Sequence, residues 1–296
     1  MNPIVGIGEV LWDVYPDGRK VAGGAPFNFA FHCHQLGHPA VIVSRVGNDD
    51  LGRELCERVR ELGLTDEYIQ TDPEHPTGTV QVSLDANAVP TYTITENVAW
   101  DHIAWDEKLE SLVRKCRAVC FGTLAARAQQ SRNSLQRFLP PWSFLDADPE
   151  LIIFDVNLRS NNVPDFVNWG IGHADWLKVN SDELERVGNW CGDIVATVRD
   201  TFSETQVVIV TRGEQGCCVV GSNDVIEEPG VPAKVVDTVG AGDAFTAAMV
   251  CLHLEGKPLR DCARFAVHYA ARVCEQPGGT PRIDRAAVER AAGLAP

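Results

Sequence analysis

The sequence predicts an α/β fold, in which a mostly parallel sheet is doubly wound and carries helices on both faces. Short runs of β-branched and other apolar residues recur along the chain. Continuous apolar strands are typical of parallel sheets that are buried on both sides. Helical stretches separate these runs, which is the alternation of an α/β protein. The chain has 296 residues, and this length suits one domain that spans residues 1–296.

The individual elements follow from hydrophobic periodicity. The predicted strands are the apolar runs at residues 4–8, 41–46, 118–122, 151–155, 176–180 and 207–211. The predicted helices cover residues 25–37, 51–63, 129–139, 182–190, 241–255 and 258–275.

Two segments, at about residues 11–24 and 77–100, depart from this alternation. The first contains Pro16-Asp17-Gly18, which is a turn signal between strands. Between Thr79 and Thr95, apolar and polar residues alternate with the period of half-exposed antiparallel strands. We expect these segments to form a small antiparallel β lid over a site. Because antiparallel strands at a sheet edge can pair with another chain, we also expect a homodimer through the lid.

Bulk composition excludes several classes of partner and location. The formal net charge is −15 and the pI is about 4.9, which disfavours nucleic acid and anionic membranes as partners. The sequence has no apolar run of membrane-spanning length and no N-terminal secretory pattern. Its ten cysteines include no Cys-x-x-Cys pair, so we expect buried free thiols in a cytoplasmic protein rather than disulfides or a zinc site.

The most specific motif is the segment from Asp237 to Phe245, with the sequence Asp-Thr-Val-Gly-Ala-Gly-Asp-Ala-Phe. Its glycines precede a predicted helix, and free N–H groups at a helix N-terminus can hold an anion. An isolated Asp243 would more often be a helix cap. Beside an anion site, a carboxylate fits the removal of a proton from a hydroxyl that attacks a phosphate. The chain contains neither the P-loop motif nor Gly-x-Gly-x-x-Gly.

Together with four further motifs in order, this segment resembles the signatures of the ribokinase-like (PfkB) carbohydrate kinases. These motifs are Gly23-Gly24-Ala25-Pro26-Phe27-Asn28, Arg45-Val46-Gly47-Asn48-Asp49, Asn180-Ser181-Asp182-Glu183 and Thr211-Arg212-Gly213-Glu214-Gln215-Gly216. The segment Asp155 to Arg159 also matches the family in the expected order, and the segments Gly8 to Asp13, Gly23 to Asn28 and Val98 to Asp101 are most similar to the fructokinase branch. The resemblance implies a ribokinase-like fold and an ATP-dependent sugar kinase.

The resemblance also implies roles at the reacting end of the site. Asp243 would be the catalytic base, and the backbone of Gly240, Ala241 and Gly242 would bind the charge that develops on the phosphoryl group. Arg159 would lie near the sugar and the phosphoryl path. The remaining sugar-binding positions are Asp13, Gly24 and Asn28. Read without the resemblance, Asp13 is a turn residue, Asn28 is a helix cap and Arg159 is a solvated charge. Trp12, Tyr92 and Trp100 are further candidates for the wall of the sugar pocket, or else plain core residues.

For ATP and ions the resemblance implies three groups of residues. Asn180 and Glu183 would place Mg²⁺, in part through water, although Asn-x-x-Glu is also an ordinary capping box. The ATP site would include Asn180, Thr211, Gly213, Gly216 and Gly242. A possible K⁺ site would comprise Asp237, Val239, Val273, Gln276 and Gly278.

Fructose is the expected acceptor, since the branch-specific motifs are those of fructokinases. A kinase of the same family for ribose, 2-keto-3-deoxygluconate or a nucleoside is the nearest alternative. A more distant alternative is a non-catalytic sugar or nucleotide sensor on the same fold, because a fold does not fix a function.

Overall fold

The strands and helices alternate along the chain, as predicted. A computed structural model describes residues 2–84, 90–139, 149–158, 164–189, 191–202 and 207–294. Its strands are β1 (Ile4–Ile7), β2 (Leu11–Val14), β3 (Lys20–Gly23), β4 (Ala40–Gly47), β5 (Ile69–Asp72), β6 (Thr79–Leu84), β7 (Pro90–Ile94), β8 (Ala118–Phe121), β9 (Leu151–Asp155), β10 (Trp176–Asn180), β11 (Val207–Thr211), β12 (Cys217–Gly221) and β13 (Val225–Glu228). Its helices are α1 (Ala25–Gln35), α2 (Asp50–Glu61), α3 (Glu107–Val113), α4 (Gln129–Phe138), α5 (Pro164–Ile171), α6 (Ser181–Val187), α7 (Ile194–Thr201), α8 (Ala241–Leu254), α9 (Leu259–Cys274) and α10 (Arg285–Ala291).

The main sheet has the strand order β13-β12-β11-β10-β9-β8-β1-β4-β5 within the described residues. Along this order, every neighbouring pair between β11 and the edge strand β5 is parallel. At the other edge β12 and β13 are added antiparallel. The prediction of a mostly parallel sheet is confirmed. The strands β5, β12 and β13 were not among those predicted from the sequence.

Helices cover both faces of this sheet, which confirms the doubly wound arrangement. Along β1, Ile4 belongs to one apolar core and Val5 to the other. The first core contains apolar side chains of α1, α2, α8, α9 and α10, and the second contains those of α3 to α7. Because successive side chains of a strand point to opposite faces, one continuous apolar run supplies both cores.

The lid is a separate sheet with the strand order β3-β2-β6-β7. It consists of two antiparallel pairs, β2 with β3 and β6 with β7. The inner strands β2 and β6 pair in parallel, with Trp12 opposite Thr79. In β6, Val80 and Val82 are buried while Gln81 is exposed, as the alternating pattern predicts. The side chain of Tyr92, a predicted pocket residue, lies outside the described part of the structure.

All ten cysteines are free thiols, and most of them are buried. This agrees with the expectation from their apolar sequence surroundings. Among the described residues, no helix combines the length and the apolar composition that crossing a membrane requires.

Candidate active site

Two cavities open beside the carboxyl ends of the parallel strands, where doubly wound folds bind their ligands. The larger has a volume of about 950 Å³ and lies against β11, α8 and α9. The smaller has a volume of about 360 Å³ and lies between the lid and α1. Lys178, Thr238 and Gly242 line both cavities. These residues therefore mark the place where a group could pass from one cavity to the other.

Helix α8 begins at this junction. Gly240, the residue before the helix, has a φ of 75°, which is a left-handed conformation that favours glycine. A Cβ atom built on Gly240 would lie 2.6 Å from Cα of Gly279. The N–H of Ala241 donates to the carbonyl oxygen of Thr238 at a long 3.3 Å. Because the first N–H groups of a helix have no carbonyl partner within it, the turn at Gly240 and Gly242 can donate to an anion, and Ala241 could join it by giving up this long bond.

Asp243 lies in the first turn of α8 and lines the smaller cavity. Nδ2 of Asn28, from the first turn of α1, donates a 2.8 Å hydrogen bond to Oδ2 of Asp243. Asn28 is buried. The predicted base and one predicted sugar residue, far apart in sequence, are therefore in direct contact.

Two other predicted sugar residues line the same cavity. They are Asp13, in β2, and Gly24, before α1. Gly24 has a φ of 121°, and a Cβ atom there would lie 2.4 Å from the carbonyl oxygen of Glu9. Oε1 of Glu9 accepts the N–H of Ala25 at 3.0 Å. Glu9 thus helps to fix the start of α1, which carries Asn28.

A buried ion pair lies beneath the junction of the cavities. Nζ of Lys178, on β10, is 3.0 Å from Oδ1 of Asp155 at the end of β9. The hydroxyl of Thr246 is 3.1 Å from Oδ2 of Asp155 and 3.0 Å from the carbonyl oxygen of Gly242. Burial by itself lowers the pKa of Lys178, but the carboxylates of Asp155, Glu183 and Asp243 raise it above its usual value. The ammonium group is therefore charged at neutral pH.

Four predicted ATP residues, Asn180, Thr211, Gly213 and Gly216, line the larger cavity. Oδ1 of Asn180 accepts the N–H of Glu183 at 2.8 Å, and Oε2 of Glu183 accepts the N–H of Asn180 at 2.9 Å. This is a reciprocal capping box at the start of α6.

Glu183, the second residue of the predicted magnesium pair, is buried behind Asn180. Its Oε1 accepts the N–H of Leu158 at 2.7 Å, in addition to the capping bond of Oε2. Burial is the main cause that raises the pKa of Glu183. With both oxygens bonded to backbone groups, this carboxylate is suited to acting on an ion through water rather than directly.

The two segments of the predicted potassium site meet around Asp237. Its Oδ1 accepts the N–H of Val239 at 3.0 Å, and its Oδ2 accepts the N–H of Gly278 at 2.8 Å. Farther along the second segment, the N–H of Gln276 donates to the carbonyl oxygen of Val273. One carboxylate therefore joins both candidate loops.

The remaining candidates for the sugar pocket are Arg159, Trp12 and Trp100. Arg159 lies outside the described residues. The side chain of Trp12 is buried, and its Nε1 donates to the carbonyl oxygen of Leu51 at 3.0 Å. Trp100 is fully buried, with the guanidinium of Arg127 over its ring. Neither tryptophan lines the smaller cavity, and the burial of both rings agrees with the alternative expectation that they are core residues.

A comparison with models of protein families identifies the family of this chain. The model of the pfkB family of carbohydrate kinases matches residues 14–285. The chain belongs to this family. As a pfkB carbohydrate kinase it is a phosphotransferase whose acceptor is a sugar hydroxyl.

Individual pfkB relatives differ in their named substrates. The chain is 28% identical to a fructokinase of Klebsiella pneumoniae, over 82% of each chain. It is 26% identical to an ATP-dependent 6-phosphofructokinase of Thermoanaerobacterium thermosaccharolyticum, over 87% of this chain and 83% of that protein.

Solved structures confirm the ribokinase-like fold. An uncharacterized sugar kinase of Pyrococcus horikoshii superposes with a TM-score of 0.82 at 26% identity, over 98% of both chains. The same kinase in complex with ATP superposes with a TM-score of 0.79 over 94% of both chains.

Several site residues of this pfkB kinase received no role from its sequence. They are Glu9, Asn157, Lys178 and Thr238, which line the cavities, and Asp155, which pairs with Lys178 beneath them. One signal was available, since Lys178 interrupts the apolar strand Trp176–Asn180 and Asp155 ends the apolar strand Leu151–Asp155. A charged residue in such a strand needs a buried partner or a ligand.

Proposed function

We propose that the protein is an ATP-dependent fructokinase, with ATP in the larger cavity and fructose in the smaller one. The observation that carries this proposal is Asp243 at the start of α8, next to the junction of the two cavities. A base must reach the acceptor hydroxyl while the anion site holds the phosphoryl group. Asp243 and the turn at Gly240 to Gly242 offer both functions within one helical turn.

In this mechanism Asp243 accepts the proton of the sugar hydroxyl as its oxygen attacks the γ-phosphorus. Asn28 holds one carboxylate oxygen of Asp243, which orients the other toward the cavity. The N–H groups at Gly240, Ala241 and Gly242 bind the phosphoryl oxygens as charge develops on them. Asp13, Gly24 and Arg159 are proposed to contact the sugar.

The donor groups around the larger cavity fit ATP and its ions. The Pyrococcus relative was solved in complex with ATP, which supports ATP as the nucleotide, and we place it here because the expected ATP residues line this cavity. Oxygen ligands suit Mg²⁺, which keeps several waters, so we assign its placement to Asn180 directly and Glu183 through water. Held by these two residues, Mg²⁺ would supply positive charge that offsets the charge of the phosphates. Asp237, Val239, Val273, Gln276 and Gly278 stay the proposed K⁺ residues.

Charge in the smaller cavity favours a neutral acceptor. Its described wall carries the carboxylates of Glu9, Asp13 and Asp243, against the single ammonium of Lys178. Asp155 already neutralises that ammonium, and the guanidinium of Arg159, which is proposed to contact the sugar, would offset only one of the three carboxylates. A sugar phosphate or 2-keto-3-deoxygluconate would bring a further negative charge into this field. A neutral ketose such as fructose avoids that repulsion.

The test is ADP release from ATP and magnesium over fructose, ribose, glucose, 2-keto-3-deoxygluconate, fructose 6-phosphate and adenosine. We expect turnover on fructose, and a loss of about 10²–10⁴-fold in kcat for Asp243→Asn. Asp261→Asn is the matched control, because Asp261 is also the third residue of a helix, α9. It should keep full activity.

The outcomes separate the alternatives. Turnover on ribose, 2-keto-3-deoxygluconate or adenosine would keep the mechanism and change the acceptor. Turnover that survives in Asp243→Asn would contradict the assignment of the base. Binding of ATP without turnover on any acceptor would favour a sensor.

We also propose that the protein is cytoplasmic and forms a homodimer through the lid. The buried free thiols support a reducing compartment. The edge strands β3 and β7 of the lid support the dimer, since they can pair with another copy. Sedimentation velocity at working concentration tests the assembly, and a monomer would contradict it.

A further inference from the structure

Lys178 is the cation closest to the path between the two cavities. Among the described residues that line either cavity, it is the only lysine or arginine. A Cβ atom built on Gly242, in the proposed anion-binding turn, would lie 3.2 Å from Nζ of Lys178. The ammonium therefore faces the same turn that is proposed to bind the phosphoryl group.

The lysine is held in place by buried neighbours. Its side chain is 8% exposed, and the side chain of Asp155 is 7% exposed. Oδ1 of Asp155 binds the ammonium, while Oδ2 is 3.1 Å from the hydroxyl of Thr246. Thr246 is also anchored to the carbonyl of Gly242 at 3.0 Å. Thr246 thus links the Lys178–Asp155 ion pair to Gly242 in the first turn of α8.

A structural role alone does not account for this position. A buried ion pair contributes little net stability, because desolvation offsets the attraction between the charges. Asp155 uses one of the three N–H donors of the ammonium. Lys178 lines both cavities. A phosphate oxygen there could accept a second N–H of the ammonium.

We propose that the Lys178 ammonium contacts the γ-phosphoryl group as it passes from ATP to the sugar. Asp155 and Thr246 are positioning residues that aim it. This inference rests on the proposed kinase mechanism. The sugar oxygen forms a bond to the γ-phosphorus, and the bond from this phosphorus to the β,γ-bridging oxygen breaks. The bridging electron pair leaves with ADP, and the hydroxyl proton goes to Asp243. Lys178 stays protonated throughout and stabilises the negative charge on the phosphoryl oxygens.

The first variant is Lys178→Met, which keeps the length of the side chain and removes its charge. We expect kcat to fall about 10²–10³-fold, as for other electrostatic donors to a transition state. The KM for the sugar should change less than about threefold, since the ammonium acts on the phosphoryl group. A kcat close to that of the wild type would overturn the proposal.

Lys178→Met also leaves Asp155 as an uncompensated buried charge, which can unfold the protein. The double variant Lys178→Met/Asp155→Asn removes both charges. Its urea midpoint should return toward that of the wild type, whereas its kcat should stay low. Recovery of stability together with kcat would mean that the lysine only neutralises Asp155, and the proposal would fail.

Nucleotide affinity separates this inference from the choice of sugar. Calorimetric titration without sugar compares ATP with ADP on the wild type and on the double variant. A loss of about tenfold for ATP, with ADP unchanged, would support contact with the γ-phosphate. Equal losses for both nucleotides would overturn it. If the wild type turns over no sugar in the panel, the fructokinase proposal fails, and this difference alone then decides the role of Lys178.

Discussion

Acidification should destabilise the protein through one buried imidazole, that of His32 on α1. Nε2 of His32 is 3.0 Å from the carbonyl oxygen of Gly279, and Nδ1 is 3.0 Å from the hydroxyl of Tyr269. Because a carbonyl only accepts, Nε2 carries the proton and Nδ1 accepts from the tyrosine. Burial lowers the pKa of His32 to about 4, although the bond to Gly279 partly opposes this shift.

The sign and size of the effect follow from this pKa. In the unfolded chain the imidazole binds a proton below its ordinary pKa of about 6.5, whereas in the folded protein it stays neutral to about pH 4. Stability from this residue is therefore complete above pH 6.5 and is lost as the pH falls toward 4. With these two values, linkage gives a loss of about 1.3 kcal/mol between pH 7.5 and 5.5.

Urea unfolding of the wild type and of His32→Gln at pH 7.5 and pH 5.5 measures this contribution. A glutamine amide can still donate to the Gly279 carbonyl, so the variant should fold. The wild type should lose about 1.3 kcal/mol more than the variant over this interval. Tyr269→Phe is the control, since it removes a hydrogen bond to the same ring and should lower stability at both pH values by about 1 kcal/mol. An equal pH dependence of the wild type and His32→Gln would refute the reasoning.

Three further predictions concern the site and the lid. Gly240→Ala should lower kcat by about 10²-fold or more, because the added Cβ meets Gly279. Gly256→Ala is the control, because Gly256 has a similar φ of 82° but an added Cβ would meet no neighbouring atom. It should lower stability and leave kcat unchanged, and enzyme assays and urea melts of the two variants will show the difference. Asn28→Asp places a second carboxylate against Asp243 and should move the acid limb of the kcat–pH profile upward by about 1–3 units. An unmoved limb would mean that Asp243 is not the group that titrates. Arg127→Met leaves Asp101 buried without its partner and should lower the free energy of unfolding by about 3–5 kcal/mol. Arg127→Met/Asp101→Asn should recover most of this in urea melts, and no recovery would contradict a charge-based explanation.

Much of the fold could be predicted because the sequence repeats its pattern locally. Apolar runs and helical periodicity identified the central parallel strands, the five helices of ten or more residues and the seven-residue α6, which begins with a capping box. Short elements were missed: α3, α5, α7 and α10 have only seven or eight residues. In helices of this length the periodic signal is weak, and packing on the sheet supplies most of their stability. The strands β12 and β13 were also missed. They form an antiparallel edge of the main sheet, and no local pattern in the sequence indicates which strands they pair with.

Motifs made the candidate site predictable where one short segment carries several roles. The loop before α8 supplies glycine, helix N-terminus and carboxylate within four residues, so Asp243 and its neighbours could be named together. Asp13, Asn28 and Gly24 required the family resemblance, because each has an ordinary local explanation as a turn or cap residue. For Trp12 and Trp100, the sequence left a pocket wall and the core as alternatives, and the structure buries both rings in the interior.

The sequence by itself determined the class of fold, the proposed catalytic loop and the order of the proposed ligand-binding motifs, because these depend on neighbouring residues. Only the tertiary structure decided which distant groups meet. It brought Asn28 to Asp243, Lys178 to Asp155 and His32 to Gly279. Such contacts depend on the register of parallel strands and on helix packing over the sheet, which no local pattern encodes. The charged pair beneath the junction of the cavities is therefore visible only after the chain has folded.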